Sequence, residues 1–218
     1  MSAPRPRVTL KLATSLDGRI ATAAGESRWI TGEAAREAVH RLRAGHDAVL
    51  VGVDTVIADD PELTVRLPGY GGPQPRRVVL DSRQRLPESA KLVATAGVTP
   101  TWVVSIEDPQ PRLSERGVRV LQVKAAGDRP DLEHALERLA DEGVARLFVE
   151  GGGQVAASFL RCDLVDAVEW FRAPIVLGGE GRPAVGALAL ASLTEAPRFT
   201  RVSIEALGVD LWERYERA

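Results

Sequence analysis

Short apolar runs alternate with amphipathic segments along most of the chain. Such runs are typical of parallel strands that are buried on both faces of a sheet. They occupy residues 8–14, 48–51, 77–80, 102–105, 118–123, 145–149 and 167–172. Near the end of the chain, residues 199–205 and 209–215 flank Ala206-Leu207-Gly208 and predict a closing hairpin.

Three segments have the apolar spacing of a helix that buries one face. They are residues 32–44, 130–141 and 155–161. The first has apolar residues at i, i+4 and i+7 from Ala35, with Thr31 as its predicted N-cap and Gly45 as its predicted C-terminal stop. The second contains Pro130 at its predicted start, where proline is tolerated.

Helices between short apolar strands predict an α/β fold, with a mostly parallel central sheet covered by helices on both faces and an antiparallel C-terminal hairpin. The length of 218 residues suits a single domain, residues 1–218, and 44% hydrophobic with 27% charged residues is typical of a soluble globular protein. A net charge of −2 argues against nucleic-acid binding. No apolar run approaches the roughly 18 residues of a membrane span, and the N-terminus lacks a signal-peptide core, so we expect a cytoplasmic protein without a membrane partner.

Residues 149–155, Val-Glu-Gly-Gly-Gly-Gln-Val, connect a predicted strand to a predicted helix. Consecutive glycines let backbone amides approach a ligand closely, and a helix N-terminus favours an anion. Glu150 lies at the end of the strand, where open α/β sheets bind their ligands. Two simpler interpretations remain open: the glycines form only a tight connection, and Glu150 stabilises the following helix through its dipole.

Polar residues follow three other predicted strands. The first strand contains Lys11 and leads into Ser-Leu-Asp-Gly and then Ser27 and Trp29; the second leads to Thr55, Asp59 and Arg66; the third leads to Ser82 and Arg83. Because neighbouring parallel strands share a carboxyl edge, we expect these residues to lie close together.

These segments resemble the reductase of riboflavin biosynthesis, which forms the C-terminal half of the bifunctional pyrimidine deaminase/reductase. The matching pieces are residues 11–20, 25–31, 58–66, 79–82, 149–153 and 173–179. The resemblance implies the dihydrofolate reductase fold, NADPH as cofactor and a homodimer. It implies reduction of the ribosylamino side chain of 5-amino-6-(5-phosphoribosylamino)uracil, or of its diaminopyrimidinone analogue, to ribitylamino. It also implies a cis peptide bond between Gly151 and Gly152.

The resemblance assigns roles to individual residues. It makes Lys11 and Glu150 catalytic, beside the ribose. Substrate contacts fall to Ser27, Arg43, Leu63, Arg66 and Glu150, with the arginines suited to the 5′-phosphate. Cofactor contacts fall to Ala13, Trp29, Thr55, Asp59, Ser82, Arg83, Gly151, Gly152, Gly153, Gln154 and Val155. Ala13 departs from the glycine of some family members, a change small enough to allow close approach.

Other interpretations of these residues and of the function stay open. Lys11 could be an ordinary strand-end lysine, Asp59 part of a turn before Pro61, Trp29 a core residue, and Ser82-Arg83 a polar turn. A related NADPH oxidoreductase with another small substrate, or a nucleotide-binding protein without activity, would also suit the pattern.

The bifunctional enzymes carry a zinc deaminase, whose signature pairs His-x-Glu with Pro-Cys-x-x-Cys. This chain has one cysteine, Cys162, and none of its three histidines lies in a His-x-Glu. We therefore expect no metal site and no deaminase half.

Overall fold

The computed structural model of the chain describes residues 5–218. It divides into two compact units. The middle unit comprises residues 5–7 and His40–Phe148, and the terminal unit comprises Val8–Val39 and Val149–Ala218.

The elements are numbered in chain order. The strands are β1 (Arg7–Thr14), β2 (Arg19–Ala21), β3 (Ala48–Gly52), β4 (Arg76–Leu80), β5 (Thr101–Ser105), β6 (Arg119–Gln122), β7 (Ala125–Ala126), β8 (Arg129–Pro130), β9 (Arg146–Val149), β10 (Ala167–Arg172), β11 (Arg182–Pro183), β12 (Phe199–Leu207) and β13 (Asp210–Arg217). The helices are α1 (Glu33–Ala44), α2 (Val53–Asp59), α3 (Lys91–Ala94), α4 (Pro111–Ser114), α5 (Leu132–Asp141) and α6 (Gly153–Arg161), and Leu193–Glu195 forms a 3₁₀ turn.

The middle unit is built on parallel strands in the spatial order β9, β3, β4, β5, β6. The pairings of β3 with β4, β4 with β5, and β5 with β6 are all parallel. Four of the five β3 residues and all five β5 residues are buried. This confirms that the short apolar runs are strands without a solvent-facing side.

The terminal unit combines parallel and antiparallel pairing. β1 is parallel to β10, and β10 is antiparallel to β13. β12 and β13 form the antiparallel hairpin, whose turn is shorter than predicted because β12 extends to Leu207. The predicted fold class, mostly parallel with an antiparallel C-terminal hairpin, is confirmed.

Two predicted helices begin later than predicted, each after a residue that makes another contact. α1 begins at Glu33, not after Thr31, and the Gly32 N–H donates to Asp210 Oδ2 at 2.6 Å. Pro130 belongs to the β7–β8 pair, opposite Ala125. α5 begins after Asp131, whose side chain accepts a hydrogen bond from the His134 N–H at 3.0 Å.

Asp17 fixes the loop that follows β1. Its Oδ1 accepts hydrogen bonds from Ser15 Oγ at 2.6 Å and the Leu177 N–H at 3.1 Å, and its Oδ2 accepts one from the Gly178 N–H at 2.8 Å. These donors, Ser15 first, lower the pKa of the carboxyl to about 2. The ionised carboxylate therefore joins this loop to the segment after β10.

We expect Asp17→Asn to lower the free energy of unfolding at neutral pH. Because the pKa of Asp17 is lower in the folded chain than its usual 3.8, its contribution is complete above that value and disappears as pH falls toward 2. Urea unfolding at a series of pH values should thus show a difference from wild type that shrinks below pH 3.8.

Asp128→Asn is the matched control, because the Asp128 side chain is 80% exposed and lies 4.0 Å from Arg129. It should change stability little at any pH. A stability loss in Asp17→Asn that stays constant between neutral pH and pH 2 would contradict the role of the charge.

Candidate active site

The glycine-rich turn joins β9 to α6 in the terminal unit. β9 ends at Val149, and Gly152 is the N-cap of α6 with φ −65° and ψ 175°. The cis peptide bond within residues 5–218 lies at Arg28–Trp29, so the expected cis bond between Gly151 and Gly152 is wrong. With a trans bond, Gly152 is extended and enters α6 directly, and its carbonyl accepts the first-turn hydrogen bond from the Ala156 N–H at 3.1 Å.

Packing explains two of the three glycines. A Cβ on Gly151 would lie 2.5 Å from the Cβ of Val155, and a Cβ on Gly153 would lie 2.5 Å from the Pro183 carbonyl oxygen. The Gly153 carbonyl also accepts a hydrogen bond from the Gly186 N–H at 2.8 Å. Gly152 has a backbone conformation that any residue adopts, which makes it the position where a requirement for glycine would point to a ligand.

Lys11 belongs to a row of alternating charges across the terminal unit. It lies half-buried on β1, opposite Glu169 on β10, which in turn lies opposite Arg214 on β13. Residues in register on neighbouring strands share a face of the sheet. The row therefore reads cation, carboxylate, cation.

Glu169 is a buried carboxylate that the sequence reasoning missed. Only 6% of it is exposed, and it accepts hydrogen bonds from Trp212 Nε1 at 2.6 Å and Arg214 Nε at 3.4 Å. Burial raises its pKa, and the indole and guanidinium donors oppose that rise. A charged residue inside the apolar run 167–172 was the available signal, since such a residue needs buried partners.

Trp29 is exposed, so its interpretation as a core residue is wrong. It is 70% exposed, and the guanidinium of Arg36 lies 4.6 Å from the ring centroid. Ser27 and Ala13 are half-buried, and the Ser27 carbonyl accepts a hydrogen bond from the Ile30 N–H at 3.2 Å. An exposed tryptophan held by a cation is a suitable surface for a flat ring.

In the middle unit, α2 carries two of the predicted cofactor residues. Thr55 is half-buried and Asp59, the last residue of the helix, is exposed. The following Asp60 is the left-handed C-cap, with φ 41°, and its Oδ1 accepts a hydrogen bond from the Lys91 N–H at 2.8 Å.

The predicted substrate residues of the middle unit converge on one segment. Arg43, 9% exposed, donates from Nη1 to the Thr64 carbonyl at 2.9 Å. Leu63 is buried with φ 55°. Arg66 is exposed and pairs with Glu62 at 3.0 Å. Both arginines are thus positioned by residues 62–66.

The turn that carries Ser82 and Arg83 is held by hydrogen bonds of the two residues that flank it. Asp81 is buried and its Oδ2 accepts a hydrogen bond from the Leu86 N–H at 2.7 Å. Gln84 is fully buried; its amide donates to the Asp108 carbonyl at 2.7 Å and its Oε1 accepts from the Gln110 N–H at 2.9 Å. Arg83 is exposed between these two anchors.

Two features are absent from residues 5–218. That part of the chain has no group of three or more His, Cys, Asp or Glu side chains that could hold a metal ion. None of its helices combines the length and apolar character of a membrane span.

Comparison with known proteins places these features in a family. Residues 6–212 match the RibD C-terminal domain. The riboflavin biosynthesis protein RibD of Bacillus amyloliquefaciens is 38% identical over 211 residues, which cover 94% of this chain and 56% of the relative, so the chain spans about half the length of such relatives. The 2,5-diamino-6-ribosylamino-4(3H)-pyrimidinone 5′-phosphate reductase of Methanothermobacter thermautotrophicus is 40% identical over 214 residues, 97% of this chain and 98% of the relative.

A solved structure agrees with this match. Acinetobacter baumannii RibD superimposes with a TM-score of 0.88 at 34% identity, covering 100% of this chain and 59% of that one. Together with the strand-end residues described above, these matches show that the chain belongs to the RibD C-terminal domain family.

Proposed function

We propose that this chain is an NADPH-dependent reductase that converts the ribosylamino side chain of a 5-phosphoribosylaminopyrimidine to ribitylamino. The observation that supports this most is the pair of charged groups on two strands. Lys11 lies within β1, not at its end as the sequence pattern had suggested, and Glu150 directly follows β9. The Methanothermobacter thermautotrophicus relative that matches over 98% of its length is named as such a reductase, which supports the same substrate class.

The chemistry requires a proton to be handled beside the sugar. The C1′–O4′ bond of the ribose breaks as the lone pair of the amino nitrogen forms a double bond to C1′, which gives an iminium that keeps its N–H, and O4′ takes up a proton to become a hydroxyl. NADPH would supply the hydride that C1′ accepts. Lys11 is suited to donate the proton to O4′ and to regain one from solvent through Glu150, which would also orient the sugar hydroxyls.

The binding roles are those that the resemblance assigns. Contacts to the substrate, including its 5′-phosphate, fall to Ser27, Arg43, Leu63, Arg66 and Glu150. Contacts to NADPH fall to Ala13, Trp29, Thr55, Asp59, Ser82, Arg83 and residues 151–155. Arg43, Arg66 and Arg83 are the cations assigned to phosphate groups, and of these Arg43 is held by a hydrogen bond to the Thr64 carbonyl. A homodimer completes the assignment.

Gly152→Val tests whether the glycine turn meets the cofactor. We expect a folded protein with strongly weakened NADPH binding, because the backbone at Gly152 tolerates a side chain while the pyrophosphate would not. Gly153→Val is the contrasting variant: its Cβ would collide with the Pro183 carbonyl and should lower thermal stability. Normal NADPH affinity in folded Gly152→Val would make the turn purely structural.

Arg83→Ala tests the proposed binding site for the 2′-phosphate of NADPH. Loss of a charge-assisted contact should weaken NADPH binding by about ten- to a hundredfold and leave NADH binding almost unchanged. Arg85→Ala is the matched control, because Arg85 is two residues away and pairs with Asp54 at 2.8 Å. Calorimetric dissociation constants would refute the assignment if both variants lost the same affinity for both cofactors.

The catalytic pair is tested with Lys11→Ala, Glu150→Gln and the double variant. Steady-state NADPH oxidation should depend on the aminopyrimidine phosphate, supplied in the uracil and the diaminopyrimidinone forms. Each single variant should lose about 10²–10⁴-fold in turnover with little change in NADPH affinity, as for a lost proton donor or acceptor. The double variant should lose less than the product of the single losses, because the residues act as one unit.

Two results would contradict this assignment. Near-wild-type turnover in either single variant would remove that residue from the mechanism. Wild-type protein that binds NADPH but oxidises it with neither pyrimidine would remove the proposed substrate.

A further inference from the structure

Glu169 lies beside Lys11 in the terminal unit, and the proposed reaction does not yet use it. The two residues are directly opposite each other on the parallel strands β10 and β1. Side chains in register on neighbouring strands lie on the same face of the sheet. Because Glu169 is 6% exposed, water screens its charge little. The carboxylate is therefore placed to act on the charge of Lys11.

Two donors fix the orientation of the Glu169 carboxylate. Its Oε2 accepts a hydrogen bond from Trp212 Nε1 at 2.6 Å, and its Oε1 accepts one from Arg214 Nε at 3.4 Å. The Trp212 indole is itself stacked on Phe171, with ring centroids 5.4 Å apart. Burial raises the pKa of the Glu169 carboxyl, and both donors oppose that rise because they favour its ionised form. A carboxylate of fixed orientation thus lies on the strand next to Lys11.

The other charged groups of the terminal unit that could act on Lys11 occupy other positions. Arg214 is opposite Glu169 on β13 and is therefore two strand spacings, about 10 Å, from Lys11. Glu205 lies on β12, one strand farther away. The remaining groups lie at or beyond the ends of their elements: Arg7 of β1, Asp210 and Glu216 of β13, Glu33 at the start of α1, and Glu150 after β9. Glu169 is the charged residue of β10 that is in register with Lys11.

The opposite face of the same strands holds a second buried carboxylate, which serves as a comparison. Glu213 on β13 is 7% exposed, and its Oε1 accepts a hydrogen bond from Arg172 Nη2 at 3.1 Å. It joins β13 to β10, as Glu169 does. However, Glu213 is in register with Trp170, which is in register with Leu12 of β1. Joining the two strands therefore does not require a lysine in the row, and the row of Glu169 contains one.

We propose that Glu169 is a positioning residue for the reaction, which holds the Lys11 ammonium charged and in place until its proton passes to the sugar. This rests on the proposed function, in which Lys11 is the proton donor. Burial disfavours the charged form of an amine, and Lys11 is half-buried. A carboxylate on the neighbouring strand offsets that effect and keeps the donor protonated up to a higher pH.

The charge of Lys11 can be measured directly, without substrate. The chain contains three lysines, Lys11, Lys91 and Lys124, so the NMR signals of lysine labelled with carbon-13 at Cε can each be assigned. Glu169→Gln should move the titration midpoint of the Lys11 signal to lower pH by about one unit or more, because an adjacent opposite charge favours the ammonium. Lys91, which pairs with Asp60 at 3.7 Å in the middle unit, should titrate as in the wild type.

Three further variants separate the charge of Glu169 from its structural contribution. Glu213→Gln removes an equally buried carboxylate from the other face and should leave the Lys11 midpoint almost unchanged. Glu169→Asp keeps the charge and should return the midpoint toward the wild-type value. Arg214→Gln removes the cation that shares Glu169, and it should move the Lys11 midpoint to higher pH. This last variant keeps Glu169, so the test does not depend on the folding of a Glu169 variant.

Activity should follow the same midpoint. In Glu169→Gln, the alkaline limb of the kcat/KM profile for NADPH oxidation should move to lower pH together with the Lys11 signal. At a pH above that limb, kcat/KM for the aminopyrimidine phosphate should fall about tenfold for each pH unit of that movement, while NADPH affinity stays nearly unchanged. Glu213→Gln should lower thermal stability and keep the wild-type limb.

Four results would overturn the positioning role. They are an unchanged Lys11 midpoint in Glu169→Gln, an equal change in Glu213→Gln, a midpoint in Arg214→Gln that does not rise, and an alkaline limb that does not follow the Lys11 midpoint. The proposed function fails separately. Wild-type protein that oxidises NADPH with neither pyrimidine would overturn the reductase, whereas an active enzyme whose Lys11 midpoint is independent of Glu169 would overturn only the positioning role.

Discussion

Burial of the parallel strands on both faces is the constraint on which the rest of the structure depends. A strand without a solvent-facing side is largely apolar: β3 has no polar side chain, and β5 has its two polar residues, Thr101 and Ser105, at its ends. Polar groups are therefore confined to the strand ends and to the segments that follow. Thr55 on α2 and Ser82 after β4 occupy such positions in the middle unit, where open α/β sheets bind their ligands.

Where charge enters the strands of the terminal unit, neighbouring strands compensate for it. Lys11, Glu169 and Arg214 alternate in sign across β1, β10 and β13, and Trp212 donates an additional hydrogen bond to Glu169. A buried charge without partners destabilises the fold, and removing one partner of a pair leaves the other charge buried and uncompensated. The row thus supports a lysine at a half-buried position, the residue that we propose as the proton donor.

Short windows of sequence predicted those elements whose position depends only on residues within the window. The apolar runs located the main strands, but α2 gave no signal because it has seven residues and no side-chain cap. α1 begins one residue later than predicted, and the Gly32 N–H before it is bound by Asp210, 178 residues away, a tertiary contact that no window of sequence contains. The candidate site residues came from strand ends and family resemblance, whereas Glu169 depends on strand register and could only be assigned once β10 was placed between β1 and β13.

The destination of the hydride tests the central claim most directly. The purified chain would be given NADPH deuterated at the transferred position, together with each phosphoribosylaminopyrimidine, and the product analysed by mass spectrometry and NMR. The account predicts a ribitylamino product with one deuterium on C1′, because the reduction takes place at that carbon. Deuterium in the pyrimidine ring, or NADPH oxidation without a ribitylamino product, would contradict it.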